Sequence, residues 1–357
     1  MKESLKSFRE GLLPEESAVV FSSVSRRYLT GFASSDGVLF CTRNEARLYL
    51  DSRYLEMAQI KKREGLLPED LILLPQRFRE DLEEAYRRGE LPKLLFEDRR
   101  MTVQQYRALE EKYPETRFVP LKDRIDKMRE VKTEEEIVKI AAAQALAEEA
   151  FLYMLPRLEK GRSEKSVAAE LEYYMKLHGA SAPSFETICV SGQRSSLPHG
   201  KPTDAPLEEN SFLTMDFGCV LDGYASDMTR TVCIGKASDE MKQVYNTVLR
   251  AQEAALKAVR AGVLGKDVDD AARSVIHEAG YGACFGHSTG HGIGLEVHEA
   301  PSFSPRSEGA IPAGAVLSVE PGIYLEGKFG VRIEDLVVVR EGGSLNLNRS
   351  TKELLEL

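Results

Sequence analysis

Short apolar runs and longer charged segments alternate through the first third of the chain. The runs SAVVFSSV (17–24), GVLFCTRNEARLYLD (37–51), DLILLP (70–75) and KLLFED (93–98) are rich in Val, Leu and Phe and are bounded by turn residues. Such runs predict strands, and the charged segments between them have the composition of helices. The alternation predicts an α/β domain of about 120 residues.

The pattern changes in the segment PLKDRIDKMREVKTEEEIVKI (120–140), which is charged and helix-forming. Thr133 and Glu136 form a T-x-x-E pattern that is typical of a capping box at a helix start. Apolar residues then recur at helical spacing as far as Leu155. We place the domain boundary near residue 123, which gives an N-terminal domain of residues 1–122 and a C-terminal domain of residues 123–357.

The C-terminal domain mixes both kinds of pattern. Helices are predicted from Ser163 to Gly179, over 238–262 and over 266–280, each with a polar start or a glycine stop. Strand-like runs occupy 211–220, 224–235, 315–324 and 330–340. This order predicts an α+β domain in which helices pack on a mostly antiparallel sheet.

Composition narrows the possible classes of partner. The net charge of −9 argues against nucleic acid, because phosphate binding requires clustered Lys and Arg. No run approaches 18 apolar residues, and the N-terminus lacks the apolar region of a secretory signal, so we expect no membrane segment and no membrane partner. Five dispersed cysteines without a C-x-x-C pair predict reduced thiols and a cytoplasmic protein.

Four acidic residues interrupt apolar runs: Asp216, Asp227, Glu320 and Glu334. A lone carboxylate in a strand usually lies at an edge or in an ion pair, but four in strands that flank a histidine cluster indicate a shared cation. Two divalent ions balance four carboxylates and can hold a bridging hydroxide at neutral pH. A set rich in oxygen with one imidazole suits Mn²⁺, with Co²⁺, Fe²⁺ or Zn²⁺ as competitors. The set has no thiolate, which argues against a structural zinc site.

Three of the six histidines fall in one stretch, GHSTGHGIGLEVHE (286–299). His287 and His291 are spaced i, i+4, as in the zinc motif H-E-x-x-H. The four glycines make a helix unfavourable there, and no Glu follows His287. We expect instead that the glycines allow the backbone to approach a metal or substrate closely.

In order and setting, the phrases MDFG, SDMTRT, GHGIG, VEPGIY and VRIEDLVVV resemble the ligand phrases of the pita-bread metallopeptidases. The resemblance is greatest to the branch that contains Xaa-Pro aminopeptidase (aminopeptidase P) and Xaa-Pro dipeptidase (prolidase). RYLTGFASSDGVLF and YLDSRY are similar to the creatinase-type N-terminal domain of that branch. The resemblance implies a creatinase-type α/β domain followed by a pita-bread α+β domain with helices on a curved, mostly antiparallel sheet.

The resemblance also implies five metal ligands. Asp216 binds one metal ion, Asp227 and Glu334 bridge both ions, and His291 and Glu320 complete the shell of the other. Glu320 also takes the proton from the attacking water. From the residues alone, Thr229 and Thr231 of SDMTRT are candidate donors that orient Asp227, although strand propensity explains them equally well.

The resemblance implies further residues that contact the substrate. His298 hydrogen-bonds the scissile peptide and its oxyanion, while His287 and His199 contact substrate or pass protons. Arg332 resembles an arginine near the metal site, with a surface ion pair as the alternative. Arg306 lies where prolidase-type members carry an arginine for the proline carboxylate, with a solvated loop arginine as the alternative.

The function implied is that of a dinuclear-metal exopeptidase. It hydrolyses the bond before proline in Xaa-Pro dipeptides, or at the N-terminus of longer peptides, through a metal-bridging hydroxide. Dipeptidase and aminopeptidase P are not separated by the sequence. Three alternatives are weaker: a methionine aminopeptidase usually lacks the N-terminal domain, creatinase shares the fold without metals, and a non-catalytic pita-bread binding module typically loses ligands. The family pattern also implies a homodimer.

Overall fold

The computed structural model describes residues 2–357. The chain divides into two compact units, one ending at Arg129 and the other spanning Glu130–Leu357. The predicted boundary near residue 123 lies just before a helix that spans Arg124–Glu130, and the division between the units lies near the end of that helix.

The N-terminal unit is a mixed α/β layer structure. Its elements in order are α1 (Lys2–Glu10), β1 (Glu16–Val20), α2 (Ser23–Thr30), β2 (Val38–Thr42), β3 (Ala46–Leu50), α3 (Ser52–Arg63), β4 (Leu71–Pro75), α4 (Phe78–Arg87), β5 (Lys93–Phe96), α5 (Val103–Lys112), β6 (Arg117–Pro120) and α6 (Arg124–Glu130). The sheet order is β4-β3-β2-β1-β5-β6. β1 pairs antiparallel with β2 and parallel with β5, so β1 and β2 lie at the centre of the sheet.

The first predicted strand is shorter than its apolar run suggested. The side chain of Ser22 accepts a hydrogen bond from the Ser25 amide and caps α2, which begins at Ser23. Serine at an N-cap satisfies an amide that the helix itself leaves unpaired. The apolar run 17–24 therefore ends as a helix start instead of extending the strand.

The C-terminal unit contains four long helices and thirteen short strands. Its elements are α7 (Glu134–Met154), α8 (Glu164–Leu177), β7 (Ala182–Pro183), β8 (Ile188–Ser191), β9 (Ser211–Phe217), β10 (Cys219–Leu221), β11 (Tyr224–Ala225), β12 (Met228–Ile234), α9 (Asp239–Ala258), α10 (Gly265–Glu278), β13 (Gly290–Gly292), β14 (Glu299–Phe303), β15 (Val316–Val319), β16 (Gly322–Leu325), β17 (Phe329–Arg332), β18 (Asp335–Arg340) and β19 (Gly343–Asn346). The capping box predicted at Thr133 and Glu136 is confirmed at the start of α7.

Two helix pairs cover the sheets of this unit. Apolar side chains of α7 and α8 pack against β9 and β12, whose antiparallel pairing runs from Met228–Phe217 to Ile234–Ser211. Those of α9 and α10 pack against β15 and β18, which belong to the antiparallel sheet β14-β13-β15-β18-β19. The predicted α+β class with helices on mostly antiparallel strands is confirmed.

Each of the four predicted strands of this unit is broken in two, and three of the four breaks coincide with a carboxylate. Asp227 lies between β11 and β12, Glu320 between β15 and β16, and Glu334 between β17 and β18. Asp216 alone of the four lies within a strand, β9. The expectation that all four interrupt continuous strands is therefore wrong for three of them.

The backbone amides at these breaks bond outside the sheet ladders. The Asp227 amide donates to Gln144 Oε1, the Glu320 amide to the Thr289 carbonyl and the Glu334 amide to the Thr229 carbonyl. Each break thereby releases its acidic side chain from the alternation of a regular strand, since strand side chains must otherwise alternate between the two faces. Across residues 2–357, no helix has both the length and the apolar character needed to cross a membrane.

Candidate metal centre and active site

One cavity of about 450 Å³ in the C-terminal unit brings together nearly all the predicted site residues. Its walls include all five predicted ligands, the three predicted substrate histidines and Arg332: Asp216, Asp227, His291, Glu320, Glu334, His199, His287, His298 and Arg332. Arg306 is different, because it lines an adjoining cavity together with Arg273 and His287. His287 and Ser288 contribute to both cavities.

The acidic cluster is compact. One possible ligand atom from each of Asp227, His291 and Glu334 lies within 4.8 Å of the others. His291 Nε2 is 3.5 Å from Asp227 Oδ2 and 3.3 Å from Glu320 Oε1. Carboxylate oxygens and an imidazole nitrogen at these separations can reach a common cation with small side-chain rotations.

Strand β13 carries His291, and one nitrogen of its ring lies next to the carboxylates of the cluster. Its Nδ1 lies 3.1 Å from the Gly292 carbonyl, which fixes the proton there and leaves Nε2 as the acceptor. The His291 amide donates to Ser318 Oγ, which itself donates to Glu320 Oε1. A Cβ on Gly290 would lie 1.9 Å from the Ser318 carbonyl oxygen. The glycine therefore allows β13 to approach β15 closely, and no helix forms there, as the sequence predicted.

Three buried carboxylate oxygens of the cluster lack hydrogen bonds within the described residues: Asp216 Oδ1, Asp227 Oδ1 and Glu334 Oε1. Buried polar atoms are almost always paired, so unpaired ones in a native structure indicate an ion or a functional strain. Burial, and then repulsion from Glu334, raises the pKa of Asp227. Burial, and then repulsion from Glu320, raises the pKa of Glu334. The donor set therefore fits divalent cations.

The remaining two residues of the cluster, Glu320 and His291, form an ion pair when His291 is protonated at Nε2. Burial opposes ionisation of Glu320, but His291, His287 and Arg332 together outweigh it and lower the pKa of the carboxyl to about 2. Burial likewise opposes the charge on His291, and Glu320, the Gly292 carbonyl and Asp216 together outweigh it and raise the pKa of that imidazole. Without divalent cations, protons on Asp227, Glu334 and His291 would balance the negative charge of this cluster.

The free energy of unfolding of protein that a chelator has stripped of metal is expected to fall as the pH rises from about 4, the ordinary pKa of a carboxyl group, towards neutrality. The raised pKa values of Asp227 and Glu334 mean that the folded protein binds more protons than the unfolded chain in this window. Their contribution is present at low pH and is lost as pH rises through the folded-state values. Thermal unfolding with EDTA measures this slope.

Restoring Mn²⁺ is expected to reverse the trend, because the ions take the place of the protons. Metal-induced stabilisation should increase with pH, and calorimetry in buffers of different ionisation enthalpy should detect proton release on binding. A Mn²⁺ affinity that does not change between about pH 5 and 7 would contradict a cation site at these carboxylates.

A buried hydrogen-bond chain joins the cluster to His287. Arg332 donates to Asp216 Oδ2 at 2.5 Å, to Thr229 Oγ1 at 3.1 Å and to the Tyr324 hydroxyl at 2.7 Å. Tyr324 Oη lies 2.9 Å from His287 Nε2, and His287 Nδ1 lies 2.8 Å from the Ser288 carbonyl. Because a carbonyl can only accept, His287 donates from Nδ1 and accepts the Tyr324 proton at Nε2. Arg332 is therefore a buried residue of the site and not a surface ion pair.

Tyr324 received no role from the sequence. It lies four residues after Glu320 in the phrase VEPGIY, on β16, and nothing in its spacing marks it as different from a core tyrosine. Burial raises its pKa to about 12, so the phenol keeps its proton as a donor. A Cβ on Gly322 would lie 2.5 Å from the Tyr324 hydroxyl, which explains the glycine that precedes it.

The two threonines of SDMTRT act on other residues than predicted. Thr229 Oγ1 donates to Glu334 Oε2 at 2.8 Å, and Thr231 Oγ1 donates to the Arg332 carbonyl at 3.0 Å. The prediction that they orient Asp227 is wrong. The register explains this, because Thr229 is paired with Asp216 across β9 and β12 and lies beside the β17–β18 break.

Two further histidines lie at the open side of the cavity. His298 is exposed, and its ring centroid is 4.3 Å from that of His291. Partial burial, and then the nearby His291, lowers the pKa of His298. His199 is exposed as well and lines the cavity beside Lys201. Lys201 and Glu186, which the sequence did not single out, form an ion pair of 2.8 Å at the cavity wall.

Comparison with known proteins places this geometry in a family. Residues 138–341 match the model of metallopeptidase family M24, and residues 16–131 match the creatinase/prolidase N-terminal domain. An Xaa-Pro dipeptidase of Pyrococcus horikoshii is 36% identical over 92% of this chain and 91% of its own. An Xaa-Pro dipeptidase structure from Bacillus anthracis superposes with a TM-score of 0.92 at 36% identity, covering 100% of this chain and 99% of that one.

A solved structure of an X-Pro aminopeptidase from Thermotoga maritima is about as similar. Its TM-score is 0.89 at 38% identity, with 96% of this chain and 97% of that chain covered. These matches confirm the predicted fold class, the resemblance to the pita-bread metallopeptidases and the prediction of a metallo-exopeptidase. The family implies divalent metal ions, which the donor set of the cavity fits. The chain belongs to metallopeptidase family M24.

Proposed function

We propose that this protein hydrolyses the peptide bond before proline, using two divalent ions held by Asp216, Asp227, His291, Glu320 and Glu334. The observation that carries the proposal is the buried cluster of four carboxylates and one imidazole, in which three carboxylate oxygens have no hydrogen-bond partner among residues 2–357. Relatives named Xaa-Pro dipeptidase and X-Pro aminopeptidase support the substrate class.

Bound divalent ions would lower the pKa of water and polarise the scissile carbonyl at neutral pH. Glu320, held by Ser318 and His291, is the proposed acceptor of the proton from the attacking water. His298 lines the open cavity, so its imidazole can donate an N–H to the oxyanion that develops at the substrate carbonyl. Asp227 and Glu334 are the proposed bridging ligands.

The leaving group also requires a proton. The nitrogen of the scissile amide is the proline ring nitrogen and carries no hydrogen, so the departing secondary amine must acquire one. His199 makes no hydrogen bond within the described residues and lines the cavity, which suits contact with the substrate or proton delivery. His287 is engaged at both nitrogens, so we assign it the role of orienting the wall through Tyr324.

Arg306 is the proposed anchor for the carboxylate of a dipeptide substrate. Its side chain is exposed and makes no ion pair within residues 2–357. It lines a cavity that shares His287 and Ser288 with the cavity of the acidic cluster. An arginine fork matches a carboxylate well. This assignment applies to dipeptidase activity, since a longer peptide carries its carboxylate elsewhere.

Two alternatives are weaker. A methionine aminopeptidase does not require the creatinase/prolidase domain at residues 16–131. A non-catalytic binding module does not require five ligand residues in one cavity. Mn²⁺ as the native metal (over Co²⁺, Fe²⁺ or Zn²⁺), a homodimer and a cytoplasmic location stay predictions from the sequence.

The test is hydrolysis by protein that has been stripped with a chelator and reloaded with Mn²⁺. We expect metal-dependent cleavage of Ala-Pro, with Ala-Ala left intact as the control substrate. Arg306→Ala should raise KM for Ala-Pro and leave KM for Ala-Pro-Ala unchanged. Preferential cleavage of Ala-Pro-Ala would assign aminopeptidase P activity and remove the role of Arg306. Failure to cleave either proline peptide with any of the four metals would overturn the proposal.

A further inference from the structure

A fully buried carboxylate on α10 holds the loop that carries His287, which we define as residues 285–289. Asp269 has no exposed side-chain surface. Its Oδ1 accepts from the Thr289 amide at 3.0 Å, from Thr289 Oγ1 at 2.9 Å and from Arg273 Nη2 at 3.0 Å, and its Oδ2 accepts from Arg273 Nε at 2.7 Å. Arg273 also donates to the carbonyls of Phe285 and His287, at 3.0 and 2.9 Å.

The same device occurs a second time, at the loop that carries His199, which we define as residues 197–203. Glu164 at the start of α8 also has no exposed side-chain surface. Its Oε2 accepts from the Thr203 amide at 2.9 Å and from Thr203 Oγ1 at 2.8 Å. Arg194 Nε lies 3.2 and 3.1 Å from its two oxygens, and Arg194 Nη2 donates to the Lys201 carbonyl at 2.6 Å.

The two clusters share their chemistry but not their position in sequence. Each consists of a helical carboxylate, a threonine that gives its amide and hydroxyl to one oxygen, and an arginine that pairs with the carboxylate and holds a loop carbonyl. We name the first, Asp269–Arg273–Thr289, the His287 clamp, and the second, Glu164–Arg194–Thr203, the His199 clamp. Each satisfies its carboxylate fully, as burial of a charge demands.

We propose that the two clamps are positioning devices that independently fix the two histidine loops of the cavity wall. The inference rests on the proposed function, in which these loops face the substrate. A buried ion pair adds little net stability compared with an apolar replacement, whereas its directional bonds specify one geometry. In both clamps those bonds end on loop backbone. They reach the Phe285 and His287 carbonyls and the Thr289 amide in one clamp, and the Lys201 carbonyl and the Thr203 amide in the other.

The His287 clamp bonds directly to the acidic cluster through Thr289. The carbonyl of Thr289 accepts from the Glu320 amide at 2.8 Å. The Arg273 guanidinium lies 4.2 Å from the centroid of the Phe285 ring, and the centroid of the His287 ring lies 5.0 Å from it. The clamp therefore sets both the His287 ring and the backbone of Glu320, while the His199 clamp holds the backbone at Lys201 and Thr203, which follow His199 in the same loop.

Hydrogen exchange followed by mass spectrometry tests the clamps without any activity measurement. Thr289→Val and Thr203→Val each remove one hydroxyl donor at constant shape. We expect amides of the His287 loop to exchange about tenfold faster in Thr289→Val, with the His199 loop unchanged, and the reverse in Thr203→Val. Thr→Ser variants, which keep the hydroxyl, are the matched controls and should restore slow exchange.

Double-mutant cycles test the connection to catalysis. Each Thr→Val change is expected to lower kcat about tenfold, with KM changed less, because partners beyond the reacting groups typically contribute 10–100-fold. The loss of kcat caused by Thr289→Val should be smaller in a His287→Gln background, and that caused by Thr203→Val should be smaller in a His199→Gln background. In a background that lacks the histidine of the other loop, each loss of kcat should persist in full.

The outcomes separate this inference from the proposed function. An inactive wild-type protein would overturn the proposed function, and exchange would still decide whether the clamps fix the loops. Unchanged exchange in both Thr→Val variants, or loosening of both loops by either one, would overturn independent clamping. Equal costs in both histidine backgrounds would show that the threonines stabilise the fold without positioning the histidines.

Discussion

Asp227→Asn is expected to abolish metal-dependent hydrolysis and, at the same time, to stabilise the chelated protein. The carboxyl is buried, its Oδ1 has no partner among residues 2–357, and its pKa is raised by burial and by Glu334. A neutral amide of the same size removes a buried anion from a cluster of like charges. We expect kcat/KM to fall at least about a thousandfold, since a metal centre supplies several kcal/mol of transition-state stabilisation.

The stability change should have the opposite sign. Relief of an uncompensated buried polar group contributes about 1–3 kcal/mol. Thermal unfolding with EDTA should therefore show a higher midpoint for Asp227→Asn than for the wild type, and added Mn²⁺ should stabilise the variant less. Asp222→Asn is the control, because Asp222 lies in the nearby β10–β11 turn at φ 49°, a conformation that Asn tolerates. A variant that remains active with Mn²⁺ would exclude Asp227 as a ligand.

Arg332→Met is expected to destabilise the chelated protein strongly and the metal-loaded protein much less. Arg332 is the cationic partner of Asp216, and both side chains are largely buried, at 4% and 12% exposure. Removal of one partner of a buried pair costs about 3–5 kcal/mol, because the other charge is left without compensation. Divalent ions bound at the cluster would supply that compensation to Asp216 from the other side.

The difference between the two states is the informative measurement. Arg230→Met is the control for a buried arginine whose carboxylate partner is not a predicted ligand, because Arg230 pairs with Asp335 at 2.8 Å and contacts Glu334 only at its backbone carbonyl. The loss in free energy of unfolding caused by Arg230→Met should be the same with EDTA and with Mn²⁺. Arg332→Met should also lower kcat, since Tyr324 loses a donor and His287 its orientation. Equal destabilisation by Arg332→Met in both states would contradict a cation next to Asp216.

The hydrophobic pattern predicted the architecture well where local sequence and tertiary structure agree. The capping box at Thr133, the helices and the α/β-to-α+β order follow from side-chain periodicity and local hydrogen bonds. It predicted continuous strands where the structure has breaks at Asp227, Glu320 and Glu334. Periodicity cannot detect such breaks, because the amides there bond to residues remote in sequence, such as Gln144 and Thr289.

The candidate site likewise has residues that the sequence predicted and residues that it did not. Acidic and histidine residues in unusual apolar settings are visible in a sequence, because burying them requires a compensating ion or partner. Nine of the ten residues singled out this way or by resemblance line one cavity. Tyr324 and the two clamps were missed, because tyrosine, threonine, arginine and acidic residues on helices have many ordinary structural roles.

The sequence by itself determined the family, the fold class and the identity of the acidic and histidine cluster, since these depend on residue type and order along the chain. The tertiary structure decided which groups each of these residues contacts. Thr229 bonds Glu334 across 105 positions, and Arg332 bonds Asp216 across 116. Such pairings depend on the register between β9 and β12 and on how this strand pair lies beside the β17–β18 break. Both are set by packing of the whole unit and not by any local run of residues.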